Sequence, residues 1–311
     1  MKTFMHRRLI RITIAALSVL VFSHCNNGRE AVYRNDTLTS GTIHISVDES
    51  FKPVIDSQIK VFESSYPDAH IIAHYKPEAE CLKDLLVDSV RMVIVTRQLL
   101  PVEEQRLKDT LRFIPLQAKI AYDAVALVVN KKSKDSVFDM TDVKSLLKGT
   151  SGFKLRPVMD GLTATSTVRY ALDSLLGGQT LGKEVTAATS SQGVIDYVAQ
   201  HKDAVGFVGV NWIGNPEDAT QLSFQDKVTI ASLRCLVCPE ETYVKPYQAN
   251  IATLRYPLVR GLHYILKENY EGLGSGFANF LIYERGQLIF RRAYLWPARM
   301  QFELRNAGID E

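Results

Sequence analysis

From residue 41 onward, short β-branched runs alternate with stretches whose apolar residues recur at helical spacing. Thr42–Val47 (TIHISV) alternates as a strand does, and the PVIDSQIKVFESSY that follows places Val54, Ile55, Ile59 and Phe62 on one helical face. AHIIAHY then reads as a strand, EAECLKDLLVDS as a helix, RMVIVT as a strand, and PVEEQRLKDTL as a helix opened by Pro101 in its first turn. The apolar run KIAYDAVALVVNKK, residues 119–132, has the length of a strand that leaves one sheet and enters another. Beyond it the alternation resumes with MTDVKSLLKG, FKLRPVM, STVRYALDSLL, SQGVIDYVAQHKD and AVGFVGV. KVTIASLRCLV predicts a further strand, and the polar CPEETYVKPYQANIATLRY predicts a return crossing. PLVRGLHYILKEN and GSGFANFLIYERGQLIFRRA read as helices that close the chain. Strand–helix–strand repetition of this kind predicts an α/β protein whose mainly parallel sheets are covered by helices.

The N-terminal end has a different character. Lys2, Arg7, Arg8 and Arg11 precede the apolar run Ile12–Phe22, and Ser23-His24-Cys25 follows. Such a run is too short to cross about 30 Å of hydrocarbon, which needs roughly 20 helical residues, and it fits the core of an export signal. Residues 1–24 are therefore expected to be a signal peptide and Cys25 a lipidation site, with residues 25–40 a polar tether and the fold beginning near Gly41. Without residues 1–24 the formal charge changes from +3 to −1, since four of the 37 basic residues and none of the 34 acidic ones lie there. The basic balance belongs to the signal, so no nucleic-acid partner is expected. The 287 residues that remain suffice for two domains.

Three further cysteines are Cys81, Cys235 and Cys238. The pair in RCLVCPEE lacks a second pair or a His cluster to complete a zinc site, and it reads as buried thiols, with a local disulfide as the alternative. The seven histidines show no ligand spacing, and neither a P-loop, an HExxH motif nor a nucleophile–base set is present. No cofactor and no enzymatic activity are expected.

Several segments together resemble the phosphate-binding receptors of ABC importers, within the type II periplasmic binding proteins. They are SVDESFKPVI, the Thr96-Arg97 pair before an acidic helix, YDAVALVVN, GVIDYVAQHKDAVGFVGV, and YPLVRGLHYIL with FANFLIYERGQLIFRRAYLWP. The resemblance spans nearly the whole chain after the signal. It implies two α/β lobes joined by two crossing strands, one of residues 41–121 plus 248–311 and the other of 122–247. It also implies a monomer that closes on a small oxyanion, most simply inorganic phosphate, and hands it to an ABC permease in the inner membrane. A sensor or interaction protein of the cell envelope, with the same fold and a changed or lost ligand, is the alternative.

Helix starts that offer unpaired N–H groups and hydroxyls are where such receptors hold an anion. Ser50-Phe51 is the first, with Ser50 serving either the ligand or its own helix as a cap. Thr96-Arg97 is the second, Arg97 donating either to an oxyanion or to Glu103 or Glu104. Thr165, Ser166 and Thr167, in a loop that resembles the receptors' Ser-Gly-Thr turn, form the third, and Gln192 with Gly193 the fourth. Asp48, Glu49 and Glu78 depart from the receptors' pattern. Either they point mostly away from the cleft as helix-dipole partners, the commoner fate of first-turn acids, or the ligand is an oxyanion other than phosphate. One cleft carboxylate, in contrast, can accept the proton of hydrogen phosphate and so reject sulfate.

Overall fold

The computed structural model describes residues 36–299 apart from Pro216; the signal, Cys25 and the tether as far as Asn35 lie outside the described residues. The folded body begins earlier than Gly41. Thr37 bridges to Ser40, and Asp36 accepts from the Leu273 N–H at 2.9 Å, so part of the segment assigned to the tether is fixed to the body.

The first lobe is built on β1 (Gly41–Asp48), β2 (Ala69–Lys76) and β3 (Val90–Val95), with β1 parallel to both neighbours. Helix α1 (Lys52–Ser65), opened by Pro53, covers one face, and α2 (Glu78–Lys83) and α3 (Pro101–Leu111) lie toward the other. In α1 the buried residues Val54, Ile55, Ile59 and Phe62 recur at helical spacing. Phe62 meets Phe277 and Phe280 edge-on at 5.3 Å in the core, each such ring contributing roughly 1.5–3 kcal/mol by burial.

The long strand β4 (Leu116–Asn130) belongs to both lobes. Its first half pairs antiparallel with β12 (Val259–Leu266), and Val125–Asn130 pairs antiparallel with β8 (Ala204–Gly209) and β9 (Val228–Ile230). Between them come a two-residue strand β5 (Val137–Phe138), α4 (Met140–Lys148), β6 (Arg156–Met159), α5 (Ser166–Tyr170), β7 (Thr186–Ala187) and α6 (Ser191–Gln200). A single ten-stranded sheet thus runs β2-β1-β3-β12-β4-β8-β6-β7, with β9 and a short C-terminal strand beside β4, while β10 (Ser232–Arg234) pairs with β5 and β11 (Tyr243–Val244) in a separate small sheet. This is the two-lobed, mixed α/β fold that the resemblance implied; its outer strands pair parallel, while every pairing of β4 and β12 is antiparallel.

Three further expectations change. PLVRGLHYILKEN is strand β12, not a helix, because the segment lies between β3 and β4 and buries residues on both faces. Continuous burial removes the period of two, and Leu258, Leu262 and Ile265 then mimic a helical spacing. The chain also returns to the first lobe later than residue 248. Ile251, Tyr256 and Leu258 still pack in the second lobe's core, and the crossing runs beside β4 where the Val125 N–H donates to Leu258 O at 2.9 Å. Cys235 and Cys238 are joined by a disulfide rather than being buried thiols, and Cys81 is free and buried. No helix among the described residues is long and apolar enough to cross a membrane.

Candidate functional site

At the end of β1 the Asp48 carboxylate accepts from the Ser50 N–H at 2.9 Å, which bends the chain through one tight turn before α1. That turn carries Ser50 across to the second lobe. Its hydroxyl lies 3.3 Å from the Ser166 hydroxyl and donates to Asp160 Oδ2 at 3.4 Å. Its carbonyl accepts from Asn211 Nδ2 at 2.9 Å and from the Trp212 indole at 2.8 Å.

Asp160 leaves β6 and organises the loop that follows. Thr165 Oγ1 donates to its Oδ1 at 2.8 Å and caps α5 by accepting from the Val168 N–H, while Thr167 Oγ1 donates to Oδ2 at 3.2 Å. One buried carboxylate thereby gathers hydroxyls from both lobes.

The cation of the cleft is Arg260, on β12. It sits opposite Asp123 of β4 in register, and its Nε donates to Asp123 Oδ2 at 2.9 Å. Nη1 reaches Ser166 Oγ at 3.0 Å and Thr167 Oγ1 at 3.4 Å, and the guanidinium lies over the Phe51 ring, 5.2 Å from its centroid. Gly209 at the end of β8 leaves the room this needs, since a Cβ there would lie 3.3 Å from Asp123 Oδ2 and 3.4 Å from Arg260 Nη2. Four buried atoms in and beside this cluster, Arg260 Nη2, Asp48 Oδ2, Asp123 Oδ1 and Asn211 Oδ1, have no hydrogen-bond partner among the described residues.

Electrostatics follow from burial. Burial raises Asp48 to about 7, with Glu78 adding to the rise and Arg260 opposing it. It also raises Asp160, against the Thr165 hydroxyl and Arg260, and raises Asp123 against Arg260. Burial works against the charge of Arg260, but Asp123 and then Asp48 outweigh it and its pKa moves up.

Two further carboxylates bridge the lobes. Glu78 accepts from the Thr96 N–H at 2.8 Å, from the Thr96 hydroxyl at 2.6 Å and from Arg169 of α5. Burial pushes Glu78 up, yet Arg169 and Thr96 hold it below the usual carboxylate range. Glu49 accepts from the Ser191 hydroxyl at 2.8 Å and from its N–H at 3.2 Å. The acids Asp48, Glu49 and Glu78 therefore turn inward and find partners, which corrects the reading in which they point away.

Of the residues singled out in the sequence, Ser50, Phe51, Thr165, Ser166 and Thr167 meet at one point, together with Asp48, Asp123, Asp160 and Arg260. Thr96 lies in the neighbouring bridge. Arg97 does not join them: Glu103 holds its guanidinium through paired bonds at 2.6 and 2.7 Å. Gln192 is exposed and the Gly193 N–H is taken by Ser190, so it is Ser191 that faces the first lobe. Arg260 and Asp123 escaped sequence reasoning, although a lone charge in each of two apolar runs is a signal that each needs a partner. Among the described residues no group of three or more His, Cys, Asp or Glu is arranged to hold a metal.

The profile of the PBP superfamily domain matches residues 34–285. The chain belongs to the PBP superfamily. Solved structures of similar fold include one assigned to a phosphate ABC transporter substrate-binding protein from Clostridium perfringens, with phosphate bound. It is 18% identical with a TM-score of 0.68, over 83% of this chain and 100% of that one. Another is an ABC-type phosphate transport receptor from Vibrio cholerae, 18% identical with a TM-score of 0.60, over 83% and 100%. At that identity the likeness is one of fold. None of the curated proteins compared with the chain matches it. For this PBP-superfamily chain, the ligand class has to be argued from the cleft itself.

Proposed function

We propose that this protein is an extracytoplasmic solute-binding protein that captures a small oxyanion, inorganic phosphate, between its lobes and delivers it to an ABC permease of the inner membrane. In this reading Cys25 carries the lipid that holds it to a membrane, and the monomer needs no cofactor. One observation carries the ligand class. A buried cationic donor, Arg260 Nη2, and a buried acceptor, Asp48 Oδ2, both without a partner among the described residues, belong to a cluster that includes the Ser50 and Ser166 hydroxyls. Hydrogen phosphate matches that pair. Its oxygens accept from Arg260, Ser50, Ser166 and Thr167, while its proton goes to Asp48, a proton that sulfate lacks. The phosphate named for the similar structures supports the same reading.

Calorimetric titration with phosphate, arsenate, sulfate and acidic metabolites tests it. Phosphate and arsenate are expected to bind and sulfate to bind far more weakly. Failure of every oxyanion to bind, with no lobe closure by small-angle scattering, rules it out.

A second reading, an envelope sensor or interaction protein, is favoured by the direct bridges Glu49–Ser191 and Glu78–Arg169, through which the lobes meet on their own side chains. It expects a closed form whose scattering ignores every oxyanion.

A further inference from the structure

The cleft holds more carboxylates than cations. Asp48, Asp123 and Asp160 are at most 7% exposed, and the guanidinium they share is that of Arg260, whose Nε is already taken by Asp123. Glu78 has its own partner in Arg169. An incoming anion therefore meets uncompensated negative charge in a setting of low polarity, where like charges repel strongly.

Asp160 sharpens the conflict, because it already occupies the anion's place. The hydroxyls of Ser50, Thr165 and Thr167 all donate to it. An oxyanion bound at Ser166 and Arg260 draws on Ser50 and Thr167 as well, and would leave an ionised Asp160 buried, short of donors and beside a second negative charge. Protonation removes both difficulties. The neutral carboxyl carries no charge, and its O–H becomes a donor to the ligand in place of a competing acceptor.

We infer that the cleft takes its oxyanion together with a proton and that Asp160 receives it, an inference that rests on the oxyanion reading above. The groups facing Asp160 are Thr165 and Thr167 from its own loop, Ser50 and Glu49 from the turn after β1, and Arg260 from β12. Of these Arg260 alone is cationic, and Glu49 adds repulsion. Burial already holds the Asp160 carboxyl above its ordinary range, the direction that favours taking up a proton. Asp48 faces Glu78, Cys81, Arg260 and Ser166, and above about pH 7, where it is ionised, it is the acceptor for the ligand's own proton. The ligand class is thus a tetrahedral oxyanion of low charge that brings a proton of its own; sulfate is excluded for want of that proton, and more highly charged anions such as pyrophosphate or a tricarboxylate by repulsion.

The test is titration of the purified full chain with inorganic phosphate between about pH 5.5 and about pH 8.5, each point in two buffers of different ionisation enthalpy. The difference in heat counts protons, and phosphate's own titration is subtracted. Above about pH 7, where Asp48 is ionised and contributes no proton of its own, about one proton per bound phosphate is expected, with affinity falling up to about tenfold per pH unit at the alkaline end. In Asp160→Asn, whose amide also donates, that uptake is expected to vanish and alkaline affinity to equal or exceed that of the parent chain. Phosphate binding without proton uptake overturns the inference and leaves the oxyanion reading standing. Unchanged uptake in Asp160→Asn overturns the assignment to Asp160. Absence of phosphate binding at every pH overturns the oxyanion reading itself. Should Asp160→Asn fail to fold, the proton count of the parent chain still decides.

Discussion

Arg260 Nε donates to Asp123 Oδ2 at 2.9 Å, and both side chains are almost wholly sealed from solvent. The two residues face each other on β12 and β4, the strands that carry the chain between the lobes. The cation of the cleft is therefore fixed to the pivot, not to a loop of either lobe. Ser166 from the second lobe bonds it directly, and Ser50 from the first lobe meets Ser166 beside it.

Breaking this pair is expected to cost more than removing it. Arg260→Gln leaves Asp123 buried and unpaired, and a loss of about 3–5 kcal/mol in urea unfolding is expected. Arg260→Met combined with Asp123→Leu should recover most of that stability, since an apolar pair of similar volume leaves no buried charge. Phosphate binding should be absent from both. A double variant as unstable as the single one would show that the pair supports the fold by means other than charge compensation.

Thr165 and Ser166 are neighbours with different duties. Thr165 Oγ1 caps α5 and donates to Asp160, so Thr165→Ala is expected to lower stability by about 1 kcal/mol. Ser166 Oγ bonds Arg260 and faces Ser50, so Ser166→Ala is expected to weaken phosphate binding about tenfold or more, a hydrogen bond to a charged group being worth about 1.5–3 kcal/mol. The variant carrying both changes should show both effects. Undiminished phosphate affinity in it would remove this loop from the site.

Glu78 joins the lobes through Arg169 and Thr96. Glu78→Gln places an amide N–H against the guanidinium and discards the charge that Arg169 compensates. A looser closed form is expected, seen as a larger radius of gyration with phosphate present and phosphate affinity several-fold weaker, since about 1.4 kcal/mol corresponds to a factor of ten. Tighter phosphate binding in Glu78→Gln would instead mean that this carboxylate repels the ligand.

Much of the fold was legible because many elements are half-buried. Thr42–Val47 alternates, α1 shows its apolar stripe, and the length of β4 announced a strand shared by two sheets. Strand β12 was not legible, because burial on both faces erased its period, and the helical reading hid Arg260 as a cleft residue. Ser50 and Ser166 were singled out by the resemblance more than by their polar turns, which any helix start can show, and the structure brings them together. The fate of Arg97 was not, because a choice between Glu103 and a ligand is made by side-chain geometry that spacing does not encode. Ser191 was missed by one or two residues, since burial phase at a helix start depends on how the helix docks.

The buried carboxyls also set how stability depends on pH. Asp48 is held at about 7 in the folded chain by burial, with Glu78 adding to it, against an ordinary value of 3.8. Between those values the folded chain keeps a proton that the unfolded chain releases, so stability declines as pH rises through that window and levels off above about 7. Glu49, Asp123 and Asp160 shift in the same direction. His263 acts oppositely: burial, then the charge of Lys119, lowers it to about 4, so its contribution is lost as pH falls from its ordinary value of 6.5 toward 4. Thermal unfolding should therefore show a maximum on the acid side of neutrality. Asp48→Asn, which needs no proton to be neutral, is expected to flatten the alkaline side. At about pH 8 the gain should be on the order of a few kcal/mol, or roughly 5–10 °C in Tm for a chain of this size. Phosphate binding should weaken in the same variant, because the amide presents its N–H groups where an acceptor is needed. A parent chain whose Tm rises steadily from about pH 5 to about pH 8 would contradict the buried, proton-holding state of Asp48.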